Sequence, residues 1–115
     1  RAVDAYMIRV GEKAEVEGLR FAEALRDEIP SLKLQINIDG GSFKNQFKKA
    51  DKSGAQFAII LGDDEVERGE VAIKYLKEDF PQKSVTQLQA IDMLLKSIKS
   101  NAQLMEEYRM SILNK

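Results

Sequence analysis

Residues Ala55 to Gly62 read AQFAIILG, apolar at nearly every position and closed by a glycine. A strand with one wet face alternates apolar and polar residues, whereas a strand covered on both faces reads as one continuous apolar run. The run therefore predicts a central strand, paired on both sides and packed above and below. That requirement points to an α/β domain. The 115 residues suit one such domain and leave no room for two.

The rest of the chain supplies partners for that strand. AYMIRVG (Ala5 to Gly11) is a second short buried strand. From Glu12 to Glu28, Ala14, Gly18, Phe21, Ala22 and Leu25, followed by Ile29, share one helical face, and Pro30 stops the helix. Leu32 to Ile38 alternates strictly and predicts a half-buried strand. Asp39-Gly40-Gly41 turns the chain, Ser42 is a candidate N-cap for a helix over Phe43 to Lys52, and Gly54 suits its left-handed C-terminal cap. Phe43, Phe47 and Ala50 form its expected inward face. Asp63 to Gly69 reads as a loop or short turn, Glu70 to Leu76 as an alternating strand and Lys83 to Leu88 as a short closing strand. The expected order is β-α-β-α-β-β-β-α, with a mixed sheet of about five strands flanked by helices.

The last segment has a different period. Leu88, Ile91, Leu95, Ile98, Ala102, Met105 and Ile112 follow a mostly 3-4 spacing, with Arg109 interrupting. This is one helix, or two with a break near Ser100-Asn101, docking on the domain or contacting another subunit. The division is residues 1–99 for the α/β domain and 100–115 for a helical extension of it.

Composition removes whole classes of function. Cysteine and histidine are absent, so disulfides, thiolate metal sites, imidazole metal sites and His-activated nucleophiles are excluded within the chain. The net charge of −1 is too small for a purely electrostatic nucleic-acid binder, so any such binding must rest on a local patch. No apolar run reaches the roughly 20 residues that span a bilayer. The chain begins without Met, which fits a piece of something longer.

Two constellations carry chemistry. Lys44, Lys48 and Lys52 are spaced i, i+4, i+8 on one helical face, with Lys49 to the side and Asn45 and Gln46 as donors and acceptors. Composition alone favours a solvated face here; the alternative is a phosphate-binding row with amides near bases. The acids Asp63, Asp64, Glu65 and Glu67 can solvate a loop, bind Mg²⁺ or accept hydrogen bonds from bases. Their spacing is not that of an EF-hand, no dedicated metal site is expected, and no nucleophile stands beside them. Tyr6, Tyr75 and Tyr108 read as packing residues rather than stacking platforms.

Taken in order, Gly41 to Ala55, Ile60 to Glu65 and Gly69 to Val71 resemble the C-terminal anticodon-binding domain of histidyl-tRNA synthetases, which are class II enzymes. That family shows Gly-(Gly/Arg)-Ser-(Phe/Leu)-Lys-x-Gln, then Lys-x-Ala-Asp-Lys-x-Gly-Ala, an Ile-Leu-Gly-(Glu/Asp)-Asp-Glu strand end and a Gly-Glu-Val strand. From about Lys96 onward the resemblance stops.

The resemblance implies a mixed five-stranded sheet flanked by helices. It also implies a role in positioning tRNA(His), through its anticodon stem-loop, for aminoacylation by a catalytic domain absent from this chain. The parent would be a cytoplasmic, homodimeric ligase using ATP and Mg²⁺; this chain would hold no cofactor, metal or catalytic residue. The implied tRNA-binding residues are Ser42, Lys44, Asn45, Gln46, Lys48, Lys49, Glu65 and Lys74. Glu65 and Lys74 are the implied base readers. Relatives carry an arginine in place of Lys74, and lysine cannot make the same bidentate contact. The alternative is a regulatory or interaction module on the same domain, self-associating through its C-terminal helix. A small-ligand enzyme ranks third, for want of a nucleophile or cofactor loop.

Overall fold

The computed structural model describes residues 3–114; Arg1, Ala2 and Lys115 lie outside it. A mixed sheet is built from β1 (Ala5–Val10), β2 (Leu34–Ile36), β3 (Phe57–Gly62), β4 (Glu70–Tyr75) and β5 (Lys83–Thr86), in the order β2-β1-β3-β4-β5. β1 pairs parallel with β2 and β3, while β4 runs antiparallel to both β3 and β5. The apolar run is thus central, but only one of its two neighbours is parallel to it.

The two sheet faces are covered unequally. Helices α1 (Glu12–Glu28) and α4 (Gln87–Leu113) lie on one face. There Phe21, Leu25, Ala90 and Leu94 close over Met7, Phe57, Ile59, Leu61, Val71 and Ile73. Each such large apolar side chain contributes about 1.5–3 kcal/mol on full burial. Helix α2 (Phe43–Ser53) lies on the other face, where Ala50 and Phe47 meet Tyr6, Ile8, Ala58, Ile60 and Ala72. It packs on β1 and has no comparable packing on β4 or β5. Ser84 and Thr86 of β5, in register with Ala72 and Glu70, are exposed on that uncovered half.

Several local expectations change. β2 keeps only three residues of the alternating stretch: Leu32 is buried outside the strand and Ile38 is 83% exposed. Asp63 to Arg68 is a short helix, α3, rather than an open loop. It is capped by the Glu65 carboxylate, which accepts from the amide of Gly62 (2.8 Å), and ends at Gly69 in the left-handed region at φ 67°. The inward face of α2 is Gln46 and Ala50 with Phe47 half-buried beside them, whereas Phe43 stands 42% exposed. Ser42 caps α2 by accepting from Asn45 N at 3.2 Å, and Gly54 closes it at φ 76°.

α4 runs unbroken through Ser100-Asn101. Its docked stripe is Ala90 and Leu94 with half-buried Ile91, Leu95 and Ile98, whereas Leu88 at the head of the expected seam is exposed. Every described residue from Lys99 onward is exposed. Tyr108 among them is 64% exposed, which corrects its expected place as a packing residue. The far half of this helix accounts for the elongated outline of 55 × 26 × 24 Å. Among the described residues no helix is long and apolar enough to cross a membrane.

Candidate nucleic-acid interface

Helix α2 is pinned by its amide side chain. Gln46 is fully buried; its Oε1 accepts from Arg9 N (2.9 Å), and its Nε2 donates to Arg9 O (2.8 Å) and Gly41 O (2.9 Å). That corrects its expected place beside a base, because the side chain is fully buried and both N–H donors and the carbonyl oxygen are engaged inside the fold. The amino end of α2 is thereby fixed above the carboxyl end of β1. The turn before it is held by Asn37, whose Nδ2 donates to Gly40 O (3.0 Å) while its Oδ1 accepts from the Tyr6 hydroxyl (2.9 Å). Burial, and then the charge of Asp39, raises the Tyr6 phenol above its ordinary value.

With Gln46 and Ala50 pointing in, the lysines must point out. Lys44, Lys48 and Lys52 are exposed and make no ion pair or hydrogen bond through their side chains among the described residues. Lys49 differs, since its Nζ lies 3.4 Å from Asp39. Asn45 is exposed at the first turn with its side-chain amide unengaged. A cleft of about 530 Å³ opens between α2 and β2, lined by Gln35, Asp39, Lys49 and Lys52. Another of about 320 Å³ opens toward β4, lined by Phe47, Asp51, Lys74 and Lys77.

The acids have separate tasks. Asp63 Oδ1 accepts from Ala14 N at 3.1 Å, capping α1 from another element, because the residue before that helix is Gly11 and has no side chain to do so. Gly11 sits at φ 113°, and a Cβ there would lie 2.3 Å from the Asp63 carboxylate. Glu67 pairs with Lys13, raising the Lys13 ammonium above its usual range. Glu65 is only 21% exposed, with its second oxygen 3.2 Å from Arg68, which also bonds Glu70 at 2.9 Å. Those carboxylates, Glu70 first, raise the Arg68 guanidinium. Asp64 alone of this group is exposed with no side-chain partner. Among the described residues no three such ligands gather to hold a metal ion.

The two implied base readers are not neighbours. Glu65 reaches Glu70 through Arg68, at the carboxyl end of β3. Lys74 pairs in register with Ala58, near the opposite end of that strand, and donates to Phe80 O at 2.7 Å. Glu70 and Lys74 lie four positions apart along the extended chain, roughly 13 Å. Ser42, Lys44, Asn45 and Glu65 share one end of the sheet, while Lys74 shares the other with Asp51.

A family model described as an anticodon binding domain matches residues 4–97. The chain belongs to that family. Over 91 residues this anticodon-binding domain is 46% identical to a histidine–tRNA ligase of Hydrogenovibrio crunogenus; the match covers 79% of the chain and 21% of the relative. It thus spans about a fifth of that protein's length. Its fold is similar to that of apo histidyl-tRNA synthetase from S. aureus (TM-score 0.70, 22% identity, 81% of this chain and 23% of that one). The enzyme from Nostoc sp. PCC 7120 is also similar (TM-score 0.74, 20% identity, 85% and 23%). So is the RNA binding domain of threonyl-tRNA synthetase from Cryptosporidium parvum (TM-score 0.74, 13% identity, 82% and 23%). The match at 4–97 stops where α4 leaves the domain, so the projecting half of that helix lies beyond it.

Three roles are not visible in the sequence reading. Arg68 joins Glu65 to Glu70, Asp63 caps a distant helix, and Phe43 is an exposed ring beside the lysine row. The Arg68–Glu70 pair had a visible signal, opposite charges across Gly69. The other two depend on how α1 and α2 dock, which no local pattern records.

Proposed function

We propose that this chain is the anticodon-binding domain of a histidine–tRNA ligase and positions tRNA(His) for aminoacylation on a separate catalytic domain. The observation that carries the reading is the row Lys44, Lys48 and Lys52, exposed and unpaired among the described residues on a helix beside an uncovered half-sheet. Its support from relatives is the 46% identity to a histidine–tRNA ligase over most of the chain. Unpaired lysines at helical spacing match phosphates along one strand, and an open sheet beside them leaves room for unstacked bases.

In this reading Lys44, Lys48 and Lys52 hold the backbone, with Lys49 released from Asp39 as a further contact. Ser42 and Asn45 lie where the chain would enter. Glu65, steadied by Gly62 and Arg68, and Lys74, steadied by Phe80, approach bases at opposite ends of the half-sheet. The parent works in the cytoplasm as a homodimer with ATP and Mg²⁺ at its catalytic domain.

The test is binding of the chain to a histidine tRNA anticodon stem-loop by fluorescence anisotropy at several salt concentrations. Weak, salt-dependent binding that falls when the anticodon bases are exchanged is expected. Equal binding to all loops would remove base reading, and absence of binding would remove the assignment.

A further inference from the structure

The exposed position of Phe43 has no explanation in the packing of the domain. Large apolar side chains on small helices normally face the core, yet this ring stands 42% exposed while polar Gln46 is buried three residues on. The ring is not loose. It lies against Phe47 with centroids 5.7 Å apart at an interplanar angle of 38°, and 42% of the residue remains exposed beside that contact. Phe43, Phe47 and Asp51 follow one another at i, i+4, i+8, so they form one row along α2. Phe47 and Asp51 line the cleft toward β4 together with Lys74. The same row therefore directs Phe43 toward β4, at the end where Glu70 begins that strand.

The surroundings supply the chemistry of one occupant. Lys44 and Lys48 flank the ring on the outer side of α2, both without side-chain partners among the described residues. On the inner side the sheet is uncovered from β4 to β5, where the Ser84 hydroxyl is exposed and Thr86, whose Oγ1 caps α4 by accepting from Gln89 N at 3.1 Å, presents its hydroxyl hydrogen alone. A flat apolar face between cations and hydroxyls fits an unstacked nucleobase whose own phosphates reach the lysines. An apolar peptide would leave the two ammonium groups without partners.

We propose that Phe43 is a stacking platform for one unpaired base of the bound RNA loop, braced by Phe47. The proposal rests on the RNA-binding reading above and adds a contact that sequence-independent phosphate binding does not need.

The chain contains no tryptophan, so Phe43→Trp creates a single indole reporter at the site. Titration with the anticodon stem-loop is expected to quench its emission. Phe43→Leu, which keeps an apolar contact to Phe47 but loses the ring, is expected to weaken binding about ten-fold or more. The salt slope of binding should stay unchanged, since no phosphate contact is lost. A 2-aminopurine placed in the loop should be quenched by the parent chain and less by Phe43→Leu. Unaltered Trp emission on binding, or parent-like affinity of a folded Phe43→Leu, overturns the platform while leaving RNA binding intact. If the parent chain binds no stem-loop, the functional reading and the platform fall together.

Discussion

The side-chain amide of Gln46 bonds both the N–H and the C=O of Arg9, taking the place of the next residue of a strand. β2 makes its last backbone contact to β1 where Asn37 N donates to Met7 O (3.0 Å), so Arg9 would otherwise present bare edge groups. Burying such groups without partners costs about 1–3 kcal/mol each. Gln46→Ala is therefore expected to lower unfolding free energy by about 2–4 kcal/mol, read by urea denaturation. A loss below about 0.5 kcal/mol would show that water serves Arg9 equally well.

That pairing also explains what the sequence hid. The span of α1, the stop at Pro30 and the caps at Ser42 and Gly54 were legible because each depends on residues within one turn of the site. The central strand was legible because burial on both faces removes alternation. β2 was overestimated because its alternation continues to Ile38, while its pairing ends at Asn37 and a helix side chain takes over. The inward face of α2 was misjudged for a related reason: apolar spacing selected Phe43, but unsatisfied backbone groups selected Gln46. In α3, six residues give too little periodicity to register, and its cap comes from within the acid run. Of the site, the lysine row was readable and the separate occupations of the acids were not.

Tyr6 gives the domain an alkaline limit. Its phenol is raised above its ordinary value of 10.0 by burial first and by Asp39 second. Between the unfolded and folded values the native state holds the extra proton, so stability falls as pH rises. The contribution is whole below about pH 10 and is lost as pH passes the folded value. Denaturation midpoints measured from pH 9 upward should fall more steeply for the parent chain than for Tyr6→Phe. Parallel slopes would mean the phenol titrates normally.

Asp63 should matter for stability before it matters for RNA. Its carboxylate caps α1 across the sheet edge, filling a post that Gly11 cannot fill. Asp63→Ala is expected to cost about 1 kcal/mol, as loss of an N-cap does. Asp64→Ala, at an exposed residue without a side-chain partner, should cost within about 0.5 kcal/mol. Equal effects would remove the distinction drawn between these adjacent acids.

The projecting half of α4 should be dispensable for folding. Described residues from Lys99 are all exposed, whereas Leu94 is 1% exposed in the core. Ending the chain at Ser100 is expected to change unfolding free energy by less than about 0.5 kcal/mol while lowering helical circular dichroism. Leu94→Ala should cost about 2–5 kcal/mol. A large loss on truncation accompanied by a change in oligomeric state would instead assign the tail to self-association.

The lysine row and Glu65 make opposite predictions about RNA. Each of Lys44, Lys48 and Lys52 is free to neutralise a phosphate, so each alanine variant should weaken binding to every loop sequence alike. The dependence of log affinity on log salt should fall by about 0.7 to 1 per lysine. Lys49→Ala should do less, because releasing Lys49 from Asp39 offsets part of any gain. Glu65 carries no favourable term with a phosphate. Glu65→Gln keeps an oxygen for the Gly62 amide but removes the charge facing Arg68. It should leave the salt slope nearly unchanged and alter the ranking of anticodon variants, by about 1–3 kcal/mol at the base it reads. If the ranking stays the same and binding simply tightens, Glu65 is a structural cap that repels RNA, and base selection lies elsewhere on the half-sheet.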